Sequence, residues 1–122
     1  MARRRIGVVG SRKYPNPQAV RDFIRGLPSS TIVVSGGALG VDTIAASEAR
    51  KCRLEVIELY PNPLTSARYG FAVAAAQRNE KIVLRSDEIV AFWDGSSPGT
   101  SGTIGYAEAY EKPLRVVLPT TT

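Results

Sequence analysis

The chain has 122 residues, a formal net charge of +5 and 43% hydrophobic residues, a size and composition typical of one compact folded domain. With one cysteine, Cys52, the chain cannot form an intramolecular disulfide. Because it also has no histidine, zinc-type ligand sets and Cys-His or Ser-His catalytic pairs are excluded. A magnesium ion held by carboxylates and substrate phosphates stays open. The apolar runs are far shorter than the roughly 18 to 20 residues of a membrane-crossing helix, and no secretory apolar segment follows the basic start, so we expect no membrane contact and a cytoplasmic location.

Apolar runs alternate with helical patterns along the chain, which predicts the order βαβαβαβαβ. Continuous Val, Ile and Leu strands separated by helices are typical of a parallel sheet covered on both faces. The predicted strands are Arg5 to Val9, Thr31 to Ser35, Leu54 to Tyr60, Glu88 to Trp93 and Leu114 to Leu118. The predicted helices are Pro17 to Gly26, Val41 to Lys51, Ser66 to Arg85, with Gly70 and Arg78-Asn79 as candidate points of division, and Ser101 to Glu111.

Glycines and small hydroxyl residues gather where three of the predicted strands end, in Gly10-Ser11-Arg12, Ser35-Gly36-Gly37-Ala38-Leu39-Gly40 and Gly95 to Thr103. The carboxyl ends of parallel strands share one edge of the sheet, so the three loops are expected to meet. Glycine lets the backbone approach a ligand closely, and the N–H groups of a helix start favour an anion such as phosphate. The coincidence of three such loops predicts a phosphate or nucleotide site, although strand-to-helix turns also use glycine and serine for purely structural reasons.

Single residues near these loops have both a functional and a structural interpretation. Arg12 is a candidate bidentate clamp on a phosphate or carboxylate, or else a surface charge. Asp42 is a candidate acceptor for a ribose hydroxyl, or a cap of its helix. Tyr60 is a candidate for stacking on a base. Glu80 and Asp94 are candidates for holding magnesium or for acting as a general base on water.

The net charge is concentrated at the start of the chain. Residues 1–25 hold seven Arg and Lys and one acid, whereas residues 26–122 hold nine Arg and Lys and ten acids. The seven basic residues are candidates for a groove that binds single-stranded nucleic acid, or for solvated surface charge. They are Arg3, Arg4, Arg5, Arg12, Lys13, Arg21 and Arg25.

Four sequence elements together resemble one protein superfamily. They are Gly10-Ser11-Arg12, Val34 to Asp42, Arg78-Asn79 and Ser97-Pro98-Gly99-Thr100 to Ala107, and they resemble the SLOG superfamily over about residues 5 to 118. That superfamily joins the Rossmann-like domain of the DNA-processing protein DprA (Smf) to the LOG phosphoribohydrolases, once called lysine decarboxylase-like. The resemblance implies a homodimer and a nucleotide-type pocket lined by Gly10, Ser11, Arg12, Ser35, Gly36, Gly37, Gly40, Arg78, Asn79, Gly99, Thr100, Ser101, Gly102 and Thr103.

One departure from the LOG pattern bears on catalysis. LOG enzymes carry a Glu three residues after the threonine that corresponds to Thr103, but here that position is Tyr106. The nearest acid, Glu108, lies two residues further on, about 200° around a helix from the expected face. This displacement disfavours hydrolysis by that route.

We therefore predict a single α/β three-layer Rossmann-like domain over residues 1–122, with a five-stranded parallel sheet in the order 3-2-1-4-5 and frayed ends at residues 1–4 and 119–122. The predicted function is a module that binds a small nucleotide or nucleotide derivative, with no certain cofactor. Phosphate would sit on Gly99 to Thr103 and the Gly36-Gly37 loop, with Asp42 and Asn79 near the ribose. Two alternatives stay open. One is a nucleoside-monophosphate phosphoribohydrolase using Glu80, Asp94 or Glu108, and the other is DprA-like binding of single-stranded DNA.

Overall fold

The computed structural model describes residues 3–119, within which it has five strands and five helices. In chain order these are β1 (Arg5–Gly10), α1 (Pro17–Arg25), β2 (Ile32–Ser35), α2 (Val41–Lys51), β3 (Glu55–Glu58), α3 (Pro63–Tyr69), α4 (Phe71–Leu84), β4 (Glu88–Phe92), α5 (Pro98–Ala109) and β5 (Leu114–Val117). The fraying predicted for residues 1, 2 and 120–122 lies outside the described residues. Within them, the side chains of Arg3 and Arg4 form ion pairs with Glu55 and Glu88 at 2.8 and 2.9 Å.

The five strands form one sheet in the order β3-β2-β1-β4-β5, and every neighbouring pair is parallel. This confirms the predicted α/β fold and strand order. The central strand β1 pairs with β2 through Gly7 and Val34 and with β4 through Gly10 and Phe92. The chain runs outward from β1 to β3 and then crosses to β4 on the other side. The crevice between the carboxyl ends of β1 and β4 is therefore the point at which sheets of this kind bind ligands.

Successive strand side chains point to opposite faces of the sheet, and each face is covered by helices. Val8 and Val90 belong to a buried cluster that includes side chains of α1 and α2. Val9 and Ala91, one residue further along, belong to a second cluster that includes side chains of α4 and α5. The sheet is thus the middle of three layers. Across residues 3–119, no helix combines the length and the apolar character needed to cross a membrane.

Two predicted helix starts are wrong, and both errors concern proline. The predicted third helix starts at Pro63 rather than Ser66, and Asn62 caps it by accepting hydrogen bonds from the next backbone N–H groups. It ends at Gly70 (φ +98°), which confirms that candidate point of division, whereas Arg78-Asn79 lies inside α4. Likewise α5 starts at Pro98 rather than Ser101. Proline suits the first helical position because its missing N–H would have no helical partner there.

Candidate functional site

A cleft of about 350 Å³ opens at the carboxyl edge of the sheet, and we call it the carboxyl-edge cleft. It brings together the three predicted loops and the middle of α4. Its lining consists of Val9, Gly10, Arg12, Ala38, Leu39, Asp42, Arg78, Asn79, Ser97, Pro98, Gly99, Thr100 and Thr103. Eight predicted ligand residues are in this lining, namely Gly10, Arg12, Asp42, Arg78, Asn79, Gly99, Thr100 and Thr103. The other eight, Ser11, Ser35, Gly36, Gly37, Gly40, Tyr60, Ser101 and Gly102, are not.

The start of α5 leaves two backbone N–H groups without an acceptor at this cleft. Pro98 has no N–H, and the hydrogen bond from Ser101 N to Ser97 O (3.1 Å) is the first of the helix. The hydroxyl of Ser97 donates to Thr100 Oγ1 (3.0 Å) instead of accepting from the backbone. No acceptor within residues 3–119 takes the N–H of Gly99 or Thr100. Together with the positive end of the helix dipole, these groups suit an anion.

Ser11 and Asp94 hold the β1 and β4 loops together. Asp94 Oδ1 accepts hydrogen bonds from the N–H groups of Ser96 (2.9 Å) and Ser97 (2.8 Å), which lower the pKa of Asp94 below its ordinary value. The N–H of Asp94 donates to Ser11 Oγ (3.0 Å), and Ser11 is almost completely buried. A predicted ligand and a predicted base are therefore both engaged in shaping the turn that leads into α5.

The loop between β2 and α2 lies directly on the backbone of the β1 loop. Gly40 is the N-cap of α2 with φ +89°, and a Cβ there would overlap the carbonyl oxygen of Arg12 and lie 2.7 Å from its Cα. Gly37, with φ +67°, lies against the ring of Tyr60, which a Cβ would overlap. Only glycine fits either position without moving a neighbour. These two glycines fix the loop that shapes the cleft without lining the cleft themselves.

A buried carboxylate and a buried guanidinium form the floor of the cleft. Asp42 is 6% exposed and Arg78 is 8% exposed. Arg78 donates from Nη1 to Gly36 O and from Nε to Asn79 Oδ1, and Asp42 Oδ2 accepts from Ala38 N (3.3 Å). Burial raises the pKa of Asp42 to about 6, against the opposing effects of the Ala38 N–H and the charge of Arg78. Arg78 thus uses two of its five N–H donors, and Asp42 one carboxylate oxygen, in hydrogen bonds inside the protein.

Ser35, at the end of β2, belongs to the same buried network. It is fully buried, and its Oγ donates to the carbonyl oxygen of Asp42 at 3.2 Å. It therefore supports the start of α2 from below the cleft.

Arg12 is the exposed cation of the cleft. It forms no ion pair with any described residue, and its backbone is held by the contact with Gly40. A guanidinium with free donors on a fixed backbone is suited to bidentate binding of a phosphate. Arg12 and the two N–H groups of α5 are thus groups that an anionic ligand can bind, beside the remaining donors of Arg78.

Three other predicted ligands lie outside the lining of the cleft. Tyr60 is 64% exposed and its hydroxyl donates to Glu58. Ser101 and Gly102 lie on α5 between the lining residues Thr100 and Thr103, but they are exposed and do not line the cleft.

The three candidate catalytic carboxylates do not line the cleft, in which Asp42 is the one acidic residue of the lining. Glu80 accepts a hydrogen bond from Tyr110 (2.7 Å), Asp94 is engaged in its turn, and Glu108 is exposed on α5. Within residues 3–119, no group of three His, Cys, Asp or Glu side chains is placed to hold a metal. The magnesium prediction therefore has no preformed ligand set in this part of the chain.

Five lining residues were missed by the sequence reasoning: Val9, Ala38, Leu39, Ser97 and Pro98. Leu39 is 66% exposed, so it gives the cleft an apolar rim. The sequence signal that could have identified Leu39 was a leucine inside a glycine loop. The prediction selected only the glycines and the serine of that loop as ligands. Ser97 and Pro98 were missed because α5 was expected to start three residues later.

The seven basic residues near the amino terminus do not form one groove. Arg12 and Lys13 follow the carboxyl end of β1, whereas Arg3, Arg4 and Arg5 lie at its other end. On α1, Arg25 pairs with Glu48 at 3.0 Å.

The first three arginines, Arg3, Arg4 and Arg5, border a second, larger cleft of about 820 Å³, which we call the amino-edge cleft. Its lining consists of Arg3, Arg4, Arg5, Ile32, Leu84, Arg85, Ser86, Asp87 and Lys112.

Comparisons with known proteins agree on one protein type. Residues 1–69 match the model of a family described as DNA recombination-mediator protein A. No curated protein matches the chain. A structure of DNA processing protein A from Helicobacter pylori, described as showing its single-stranded DNA binding mode, superposes with a TM-score of 0.79 and 26% identity, covering 98% of this chain and 67% of that one.

A structure of DNA processing protein A (DprA) from Streptococcus pneumoniae has a TM-score of 0.81 at 20% identity, covering 97% of this chain and 51% of that one. At this identity the likeness concerns the fold. The chain thus spans about two thirds of the first relative and about half of the second.

Proposed function

This chain belongs to the DNA recombination-mediator protein A family, and on that premise we propose that it binds single-stranded DNA with a phosphate of the strand in the carboxyl-edge cleft. The observation that carries the proposal is the meeting of Arg12 with the backbone N–H groups of Gly99 and Thr100 at one cleft, none of which has an ion-pair partner or acceptor within residues 3–119. These donors recognise the phosphate and not the base. The described single-stranded DNA binding mode of the Helicobacter pylori relative supports the choice of ligand.

A phosphodiester fits the charge of this cleft. The positive charge of Arg78 and the negative charge of Asp42 cancel in the floor of the cleft. Arg12 therefore gives the lining a net positive charge of one, which matches one phosphate. Leu39 offers an exposed apolar surface at the rim against which a base or sugar can pack. Tyr60 is exposed on the neighbouring loop and is available for stacking, as expected of strand-tracking sites.

Binding of a free mononucleotide is the second candidate, and the size of the cleft favours it. A volume of about 350 Å³ lies within the range of about 300 to 1,000 Å³ typical of small-ligand sites. Phosphoribohydrolase activity is not part of the proposal, because Glu80, Asp94 and Glu108 all lie outside the cleft. A cytoplasmic homodimer stays part of the proposal. The exposed apolar side chains of Leu64, Tyr69 and Phe71 support pairing of two copies.

The test compares two cleft variants in fluorescence anisotropy with a labelled oligothymidylate. Arg12→Ala removes the cation, and Gly99→Asp places a negative charge beside the open N–H groups, where an acid also stabilises a helix start. Loss of a charged hydrogen bond worth about 1.5 to 3 kcal/mol lowers the affinity about 10- to 100-fold. Gly105→Asp is the matched control, because it adds the same charge on the same helix at an exposed glycine with open space around it.

Thymidine monophosphate provides the second arm of the test. If the oligonucleotide binds and both cleft variants weaken it while Gly105→Asp does not, the proposal is supported. If the mononucleotide alone binds, and does so through Arg12, the small-ligand candidate replaces it. Equal losses in all three variants would show that net charge, and not the cleft, determines binding.

A further inference from the structure

The amino-edge cleft is the most basic surface depression described in the molecule, and the site proposed above does not use it. It lies at the opposite ends of the strands from the carboxyl-edge cleft, about 13 to 20 Å away along strands of four to six residues. Its lining contains five basic residues and one acid, against two basic residues and one acid in the carboxyl-edge cleft. The two clefts thus differ in charge as well as in volume.

The acidic groups around this cleft are already engaged. Asp87 Oδ2 accepts a hydrogen bond from the backbone N–H of Arg5 at 2.7 Å. Glu55 and Glu88 pair with Arg3 and Arg4, whose side chains are 43% and 55% exposed. Exposed pairs of this kind contribute about 0 to 1 kcal/mol, so an incoming phosphate can replace the carboxylate without a large loss of stability.

Three cations of the lining have no such partner among the described residues, and Arg5, at the start of β1, is one of them. Arg85, just after α4, and Lys112, just before β5, form no ion pair with a described residue. They come from segments far apart in the sequence and meet at this cleft together with the arginines that precede β1. Ile32 and Leu84 add apolar side chains to the same lining. A cleft that combines several cationic side chains with apolar ones suits a nucleic-acid strand, which carries phosphates as well as sugars and bases.

We propose that the amino-edge cleft is a second binding site for the phosphates of single-stranded DNA. The proposal rests on the proposed function for the identity of the ligand, but its residues are distinct from those of the carboxyl-edge cleft. A strand long enough to reach both edges is held at both, and a strand bound at the amino edge alone depends mainly on charge and hence on salt. An acidic peptide is the competing partner chemistry, and the test includes it.

The experiment measures binding of a labelled thirty-residue oligothymidylate to the protein at several salt concentrations. Arg85→Gln with Lys112→Gln removes two of the three lining cations that have no ion pair within residues 3–119, and it leaves the carboxyl-edge cleft unchanged. We expect the affinity to fall about 5- to 10-fold and the slope of log Kd against log salt to decrease by about 1.4, the value for two phosphate contacts on a single strand. Arg21→Gln with Arg68→Gln is the charge-matched control, because these residues line neither cleft.

A second readout locates the DNA directly. Exposed lysines are acetylated and then identified by mass spectrometry, with and without the oligonucleotide. In the original protein, the oligonucleotide is expected to protect Lys112 from acetylation. In the Arg12→Ala variant, it is expected to protect Lys13 less than in the original protein. Persistence of the Lys112 protection in that background separates this site from the carboxyl-edge cleft, so each proposal fails on its own. The inference is overturned if the control pair lowers affinity and slope as much as the test pair, if Lys112 stays unprotected, or if polyglutamate of equal charge displaces the DNA from it.

Discussion

The two edges of the sheet carry charge in different ways. At the carboxyl edge, Asp42 and Arg78 are more than 90% buried and hydrogen-bonded to the loops around them. At the amino edge, the charged side chains of Arg3 and Arg4 are about half exposed and pair with carboxylates at the surface. The carboxyl edge therefore fixes the position of a few groups, whereas the amino edge collects many charges without fixing them.

This difference has a thermodynamic counterpart. Holding loops in positive-φ conformations and burying an ionised carboxylate both cost free energy, which the packing of the rest of the domain offsets. Exposed ion pairs change the free energy of unfolding little in either direction. Substitutions at the carboxyl edge are therefore expected to change stability strongly, and substitutions at the amino edge are expected to change mainly the response to polyanions.

The largest effect is expected at Gly40. Gly40→Ala combines backbone strain at φ +89° with overlap against the Arg12 carbonyl, at a combined cost of about 3 to 5 kcal/mol. Gly70→Ala is the matched control, since Gly70 is also a helix N-cap with positive φ (+98°) but has open space around its Cα. The midpoint of urea unfolding is measured for both variants. Gly70→Ala reports the cost of backbone strain alone, and the additional loss in Gly40→Ala reports the cost of the overlap with Arg12. Equal destabilisation in both would show that the contact with Arg12 does not constrain the loop.

The second effect concerns the buried carboxylate. Asp42 has a pKa of about 6 in the folded protein against an ordinary 3.8, so between these values the folded state binds more protons than the unfolded state. The free energy of unfolding therefore falls as pH rises through this window, by roughly 3 kcal/mol in all. Asp42→Asn removes the titrating group but keeps an oxygen that can accept from the Ala38 N–H.

The measurement is the difference in unfolding free energy between the original protein and Asp42→Asn from pH 4 to pH 8. The variant leaves the buried Arg78 without its counter-charge, and this adds an offset that is the same at each pH. The original protein is expected to lose stability relative to the variant as pH rises. A difference that stays constant over the range would mean that Asp42 titrates normally and that the floor of the cleft is open to water.

Much of the fold follows from the sequence by elementary rules. The parallel sheet was predicted because apolar runs such as Ile6 to Val9 and Ile32 to Val34 are characteristic of strands buried on both faces. The strand order was predicted together with the Rossmann-like domain, and the resemblance to the SLOG superfamily and DprA, now confirmed, covers the same span. The errors were at helix starts. Pro63 and Pro98 were treated as strand-ending or loop residues, although Pro17 had been given the first position of its helix.

The site was harder to predict than the fold, for a physical reason. Loop motifs show which residues gather at an edge but not which of their groups remain available. Ser11 and Ser35 are residues of the type that binds phosphate, yet both hydroxyls are engaged within the protein. Ser11 Oγ accepts from the Asp94 N–H, and Ser35 Oγ donates to the Asp42 carbonyl oxygen. Tyr60 was predicted as the last residue of its strand, but β3 ends at Glu58 and Tyr60 lies over Gly37, outside the cleft. Such assignments depend on contacts between distant segments, which one sequence does not reveal.

The smallest expected effect on stability sharpens the contrast at the amino edge. Glu55→Gln removes the partner of Arg3 in a pair whose side chains are 43% and 52% exposed, so the free energy of unfolding is expected to change by less than about 0.5 kcal/mol. The freed guanidinium adds one available charge to the amino-edge cleft, so affinity for a thirty-residue oligothymidylate should rise about 2- to 5-fold at low salt and lose this gain at high salt. Glu108→Gln is the control, because it removes the same charge from an exposed position on α5 that lines neither cleft. An equal rise in both variants would mean that the amino edge attracts DNA only through the net charge of the protein. A rise confined to Glu55→Gln would show that Arg3 acts locally at the amino edge, as the proposed second site requires.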